Sequence, residues 1–163
     1  GIFTHSSCGG PFGTALRKTG YEGVVLTGKA ASPVVVEIAS GGVEIKPADH
    51  LWGMLTGEAQ EALDLDKKGG ACVIGPAGEN GVLYANVRSG HRYVGRGGIG
   101  AVLGSKNVKA VVAAGGEKSV EPVHQKLFNK RKKKALKMVN RNPFSSVTCW
   151  RLDQLSTIYL LQS

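Results

Sequence analysis

Cysteine is scarce in this 163-residue chain: Cys8, Cys72 and Cys149 are widely spaced and form no CxxC pair. An odd, scattered set gives neither a disulfide framework nor a self-contained zinc or iron–sulfur site. The three read as thiols of a reduced compartment, and a cytoplasmic protein is the expectation. The histidines His5, His50, His91 and His124 form no HxxxH pair, which removes a histidine-only metal centre. Long apolar runs are missing as well. Nothing approaches the roughly 20 residues that span a bilayer. The opening GIFTHSSCGG has no basic region followed by an apolar core, so no membrane partner and no signal peptide are expected. Its first residue is Gly1 rather than Met, which reads as processing or as a fragment starting further upstream. Glycine, with 24 residues up to Gly116, is absent beyond it. Acidic residues thin out at the same place: residues 117–163 carry 10 Lys+Arg against 3 Asp+Glu, and residues 1–116 carry 11 against 9. The net charge of +9 is therefore mainly a property of the tail, and the chain divides at about residue 116.

What is present suffices for a core, since 42% of the residues are hydrophobic. The segments 23–28, 34–39, 43–46, 71–75, 82–88 and 110–115 are short, rich in β-branched residues and bounded by turn formers, so each predicts a strand. Ser40-Gly41-Gly42 between two alternating segments predicts a hairpin. Helices are predicted over 11–20, with Pro11 at its start and Gly20 at its end, and over 56–66, with Thr56 as cap and acids in its first turn. Strands at hairpin spacing that do not alternate regularly with helices predict an α+β fold.

Beyond residue 116 the period changes. Val123, Leu127, Ala135 and Met138 fall on one helical stripe over 122–140, with Phe128, Leu136 and Val139 beside it, and Pro143 bars continuation. The run Lys130-Arg131-Lys132-Lys133-Lys134 covers the opposite face. Without interleaved aromatics or a DNA-binding motif it reads as a solvated face, and nucleic acid is not the expected partner. The segment after Pro143 ends in an apolar run, which makes a homo-oligomer a further expectation.

The chemistry lies in the glycine-rich stretch SGHRYVGRGGIGAVLGSKNVKA (89–110). Glycine lets backbone N–H groups approach a ligand, and arginine among glycines favours anions. Gly95-Arg96-Gly97-Gly98-Ile99-Gly100 gives only an offset dinucleotide fingerprint. Gly104-Ser105-Lys106 has the wrong order for a phosphate-binding P-loop. On these residues alone, a module binding a phosphorylated ligand or nucleic acid through the glycine loop and basic helix stays open, and so does an assembly protein without cofactor.

Taken in order, THSSCGGPFGTALRKTGYEGVVLTGKA (4–30), LWG (51–53), IGPAGEN (74–80) and GHRYVGRGGIGAVLGSKNVKAVV (90–112) resemble the amino-terminal domain of the tungsten-containing aldehyde:ferredoxin oxidoreductases. The resemblance implies an α+β, β-rich domain of two sheets over residues 1–116, lacking its first strands. It forms the base for a tungsten (or molybdenum) held by two molybdopterins, and the start of a helical domain follows over 117–163. It implies oxidation of aldehydes to carboxylic acids with ferredoxin as electron acceptor. The pterin phosphates would be bridged by Mg2+. Matched to the family motifs, Ser7, Gly9, Arg92, Tyr93, Gly95 and Arg96 are the implied cofactor contacts, and Ser7 and Tyr93 the implied magnesium contacts through their backbone carbonyls. Ser7 stands where the family has asparagine and Tyr93 where it has alanine. The ligands of the family's [4Fe–4S] cluster and its proton-transferring residues have no counterparts in this chain. No catalytic residue is therefore expected, the isolated chain is expected to be inactive, and remaining domains or a complementing subunit would complete the enzyme.

Overall fold

The computed structural model describes residues 3–118 and 121–142. The chain forms two compact units, residues 1–119 and 120–163.

In the first unit, the strands β1 (Val34–Ala39), β2 (Gly42–Pro47), β3 (Gly70–Val73), β4 (Val87–Ser89), β5 (Arg92–Val94) and β6 (Val108–Ala113) join in one mixed sheet, in the order β2-β1-β6-β3-β4-β5. The β1–β6 pair is parallel and every other pair antiparallel. Helices flank both faces: α1 (Phe12–Thr19), α2 (Thr56–Ala62), the single turn α3 (Pro76–Glu79) and α4 (Ile99–Ser105). On one face, Ala15 and Leu16 of α1 and Leu103 of α4 pack with Val36, Ile38, Val87 and Val111. On the other, Leu51 and Ala59 pack with Val35, Val73, Ala110 and Val112. The mixed α and β composition of the sequence reading holds, and the described strands make a single six-stranded sheet.

Local signals explain several boundaries. Helix α1 ends where Gly20 takes φ +101°, the left-handed conformation that lets its N–H return to the Arg17 carbonyl. The hairpin predicted at 40–42 forms, with Ala39 opposite Gly42. Helix α2 is shorter than predicted, and Thr56 is its first residue rather than its cap. The Glu58 carboxylate reaches back to the Leu55 N–H at 3.0 Å, so an acid does the capping. The chain leaves the helix at Asp64, φ +43°.

Three strand predictions need correction. Residues 23–28 form no strand, since no neighbouring strand takes up their backbone groups, and Val25 lies 87% exposed. Of 82–88 only the end is strand: Val82 and Ala85 close turns onto Ala77 and Val82, and Tyr84 is 82% exposed. The predicted 110–115 strand runs instead from Val108 to Ala113, because Lys109 enters the sheet fully buried. The Lys109 ammonium pairs with the Glu79 carboxylate and donates to the Met54 carbonyl at 2.8 Å. Glu79 in turn accepts from the Gly53 N–H at 2.9 Å. One buried ion pair thus ties the LWG and IGPAGEN motifs to the central strand, and Glu79 serves architecture rather than ligand binding.

In the second unit, α5 (Gln125–Arg141) has no buried residue, with Leu127, Phe128, Leu136 and Val139 about half exposed. The apolar run on which the homo-oligomer expectation rests lies outside the described residues. Among the described residues, no helix is long and apolar enough to cross a membrane.

Candidate functional site

The β4–β5 hairpin forms one edge of the sheet and carries Arg92 and Tyr93; the loop leading from it into α4 carries Gly95 and Arg96. Its two-residue turn, Gly90-His91, has φ +61° at glycine, the first central position of a type II′ hairpin. Side chains alternate across the sheet, so Arg92, opposite Ser89, and Tyr93, opposite Arg88, point to different faces. Tyr93 and Arg88 border an open cleft of about 760 Å³, shared with Leu55, Thr56, Pro76 and Tyr84.

The amino-terminal segment runs along the same edge. Ser6 Oγ accepts from the Arg96 N–H at 3.2 Å. A Cβ at Gly97 would lie 2.6 Å from Thr4 Oγ1, and one at Gly10 would lie 2.3 Å from the Ser89 carbonyl oxygen. Ser89 Oγ also accepts from the Phe12 N–H at 3.4 Å. Two stretches some 90 residues apart are thus laid side by side, which brings the Ser7–Gly9 segment to the strand and loop holding Arg92, Gly95 and Arg96.

All six predicted contact residues are exposed. Among the described residues, the guanidinium groups of Arg92 and Arg96 have no ion pair and no hydrogen bond to the glycine loop, so neither acts as a brace for it. The glycines of the loop differ in role. A Cβ at Gly98 would meet the Leu83 carbonyl oxygen at 2.1 Å, and one at Gly104 the Gly78 oxygen at 1.9 Å, so both let the loop and α4 pack against 78–86. At Gly9 a Cβ would meet nothing within 4 Å, and at Gly95 only Asn86 at 3.6 Å. These two leave room above the surface instead of filling it. In the orientation that satisfies both carbonyls, the Asn86 amide donates to Tyr84 at 3.2 Å and to Gly95 at 3.3 Å, fixing the start of the loop.

Cys8 lies between Ser7 and Gly9, and Cys72 lies on β3. Burial pushes the Cys72 thiol up to about 11, against a lowering hydrogen bond with Ser89. It is therefore a protonated core thiol and a poor nucleophile or metal ligand. No cluster of three or more His, Cys, Asp or Glu with metal-binding geometry occurs among the described residues.

Residues 1–115 match the family description "Aldehyde ferredoxin oxidoreductase, N-terminal domain". The chain belongs to the aldehyde ferredoxin oxidoreductase family. It is 40% identical over 147 residues to the tungsten-containing aldehyde ferredoxin oxidoreductase of Pyrococcus abyssi, covering 88% of this chain and 24% of that protein. To the Pyrococcus furiosus protein of the same name it is 42% identical over 119 residues, or 71% of this chain and 20% of that one. This family chain thus spans a quarter or less of the length of these relatives. Among solved structures, it is similar to the active site complex BamBC of benzoyl coenzyme A reductase in complex with 1,5-dienoyl-CoA. The TM-score is 0.75 at 33% identity, covering 87% of this chain and 22% of that one.

Sequence reasoning passed over Ser6, Gln60, Arg88 and Lys109. Ser6 stands one residue from a predicted contact, but its partner is 90 positions away. Lys109 stands in an apolar run as its sole charge, and a lone lysine inside a buried strand signals a carboxylate partner.

Proposed function

We propose that this chain contributes the phosphate-holding base of a tungsten (or molybdenum) bis-molybdopterin cofactor in an enzyme that oxidises aldehydes to carboxylic acids and passes electrons to ferredoxin. The observation that carries this reading is the convergence of the Ser6–Gly10 segment and the Arg92–Arg96 segment at one sheet edge, with neither guanidinium group in an ion pair among the described residues. The donor set fits the group. Each guanidinium offers several fixed donors to phosphate oxygens, and the open surface at Gly9 and Gly95 admits a ligand close to the backbone. Arg92 and Arg96 would hold the phosphates, while the carbonyls of Ser7 and Tyr93 would complete the oxygen set of a bridging Mg2+. A backbone carbonyl survives the replacement of asparagine by Ser7 and of alanine by Tyr93. When bound, the metal-pterin group supplies the redox chemistry, and this chain's part is to bind and orient it.

The aldehyde substrate and ferredoxin belong to the complete enzyme in this reading. So does a [4Fe–4S] cluster, whose ligands would come from remaining domains or a complementing subunit, all in the cytoplasm. Residues 1–116 act as the base and 117–163 as the entry to a helical domain, and the chain alone is inactive. Elemental analysis with pterin fluorescence on protein purified anaerobically from its native source tests this. Near-stoichiometric tungsten or molybdenum with pterin is expected, and folded, intact protein with neither would overturn the reading.

A further inference from the structure

We infer that Gln60 and Arg88 are positioning residues that clamp the β4–β5 turn so that Arg92 and Arg96 are held ready for an anion. The inference rests on the reading of this edge as a phosphate site. Gly90, the first turn residue, has both its backbone polar groups taken by side chains. Its N–H donates to Gln60 Oε1 of α2 at 2.9 Å, and its carbonyl accepts from Arg88 Nε at 2.7 Å. Neither bond belongs to the sheet ladder.

Two close approaches lock the arrangement. A Cβ at Gly57, one turn before Gln60 on α2, would lie 2.9 Å from Arg88 Nη1, so glycine there makes space for the guanidinium. On the opposite side, a Cβ at Gly90 would lie 2.8 Å from Pro11 Cδ. The turn is thus gripped between α2 and the segment entering α1. Strand β5 is an edge strand of only three residues, Arg92–Val94, with two of them exposed, and so has little packing of its own. A three-residue edge strand frays unless its turn is fixed, and an arginine on a fraying strand loses conformational freedom on binding that a fixed one has already given up. Arg88 stands opposite Tyr93 in the ladder, but the hydrogen bonds of the clamp go to Gly90 and not to Arg92 or Arg96, so its effect on the two arginines passes through the hairpin.

The test uses the full chain, with magnesium pyrophosphate as probe in calorimetric titration and Gly90 amide hydrogen exchange followed by NMR. Gln60→Met keeps the length of the side chain and removes the acceptor. It is expected to speed Gly90 exchange by about tenfold or more and to weaken pyrophosphate binding by about five- to thirtyfold. The melting transition should stay in place. Gln60→Glu, which restores an acceptor, should restore exchange protection. Should Gln60→Met melt early, Arg88→Lys, which removes the Nε donor, takes its place in the same two measurements. Faster exchange with unchanged affinity would overturn the positioning role while leaving the phosphate site standing. Unchanged exchange would show that the clamp does not hold the turn. No pyrophosphate binding by the unaltered chain, despite a protected Gly90, would overturn the phosphate reading and this inference with it.

Discussion

Strands β6 and β5 lie in one sheet and are governed by different forces. Every residue of β6 is buried, including Lys109, and its position follows from removing apolar surface from water on both faces. Strand β5 buries none of its residues fully, and its position follows from contacts made to its turn and flanking loop by segments distant in sequence. The centre of the sheet therefore pairs its buried charge, while the edge presents Arg92 and Arg96, which form no ion pair among the described residues. Under the proposed function, stability and ligand binding are separated in space, and changes at the two places should separate them in experiment.

The largest effect should come from the centre. Glu79→Ala leaves the Lys109 ammonium buried without its carboxylate, which costs about 3–5 kcal/mol. Since small domains hold only roughly 5–15 kcal/mol in all, chemical denaturation should show a severe loss. The pair Glu79→Leu with Lys109→Met should recover most of it, which would show that the charge rather than the shape is responsible. Next comes Gly104→Ala, whose Cβ would meet the Gly78 carbonyl at 1.9 Å and should lower stability by about 1–3 kcal/mol through overpacking.

Cys72 sharpens the comparison through pH. Its thiol is raised from 9.0 to about 11, so the fold binds this proton more tightly than the unfolded chain does. The associated stability is fully present below pH 9 and is lost as pH rises towards 11, by about 2 kcal/mol. Denaturation curves of the wild-type chain and Cys72→Ala should draw together over that window; a constant separation from pH 8 to 11 would contradict the burial argument. The smallest effect on stability belongs to the edge. Arg92→Ala and Arg96→Ala should each change it by no more than about 0.5 kcal/mol in the same denaturation experiment.

The same division decides what could be read from the sequence. Strands β1 and β2 and their hairpin follow from alternation and the Ser-Gly-Gly turn, and α1 from Pro11 and Gly20, because local chemistry sets them. The start of β6 is hidden because one lysine looks like a loop residue until its distant carboxylate is known. The segment 23–28 has the composition of a strand, but composition supplies no neighbour. At the edge, glycine spacing alone points to an anion loop without naming an anion. Gly98 and Gly104 in fact serve close packing, whereas Gly9 and Gly95 leave space. Resemblance, not local pattern, proposes Arg92 and Arg96 as contacts. Their approach to the Ser6 segment, and the grip of Gln60 on the turn, depend on contacts across 90 and 30 positions that no local pattern encodes.

The most direct test of the edge as an anion site is calorimetric titration of magnesium pyrophosphate into the wild-type chain and into the Arg92→Ala/Arg96→Ala double variant, with melting curves alongside. The account predicts saturable 1:1 binding that the double variant loses at least about tenfold, with little change in melting. Equal binding by both proteins, or loss only where the variant is unfolded, would contradict it.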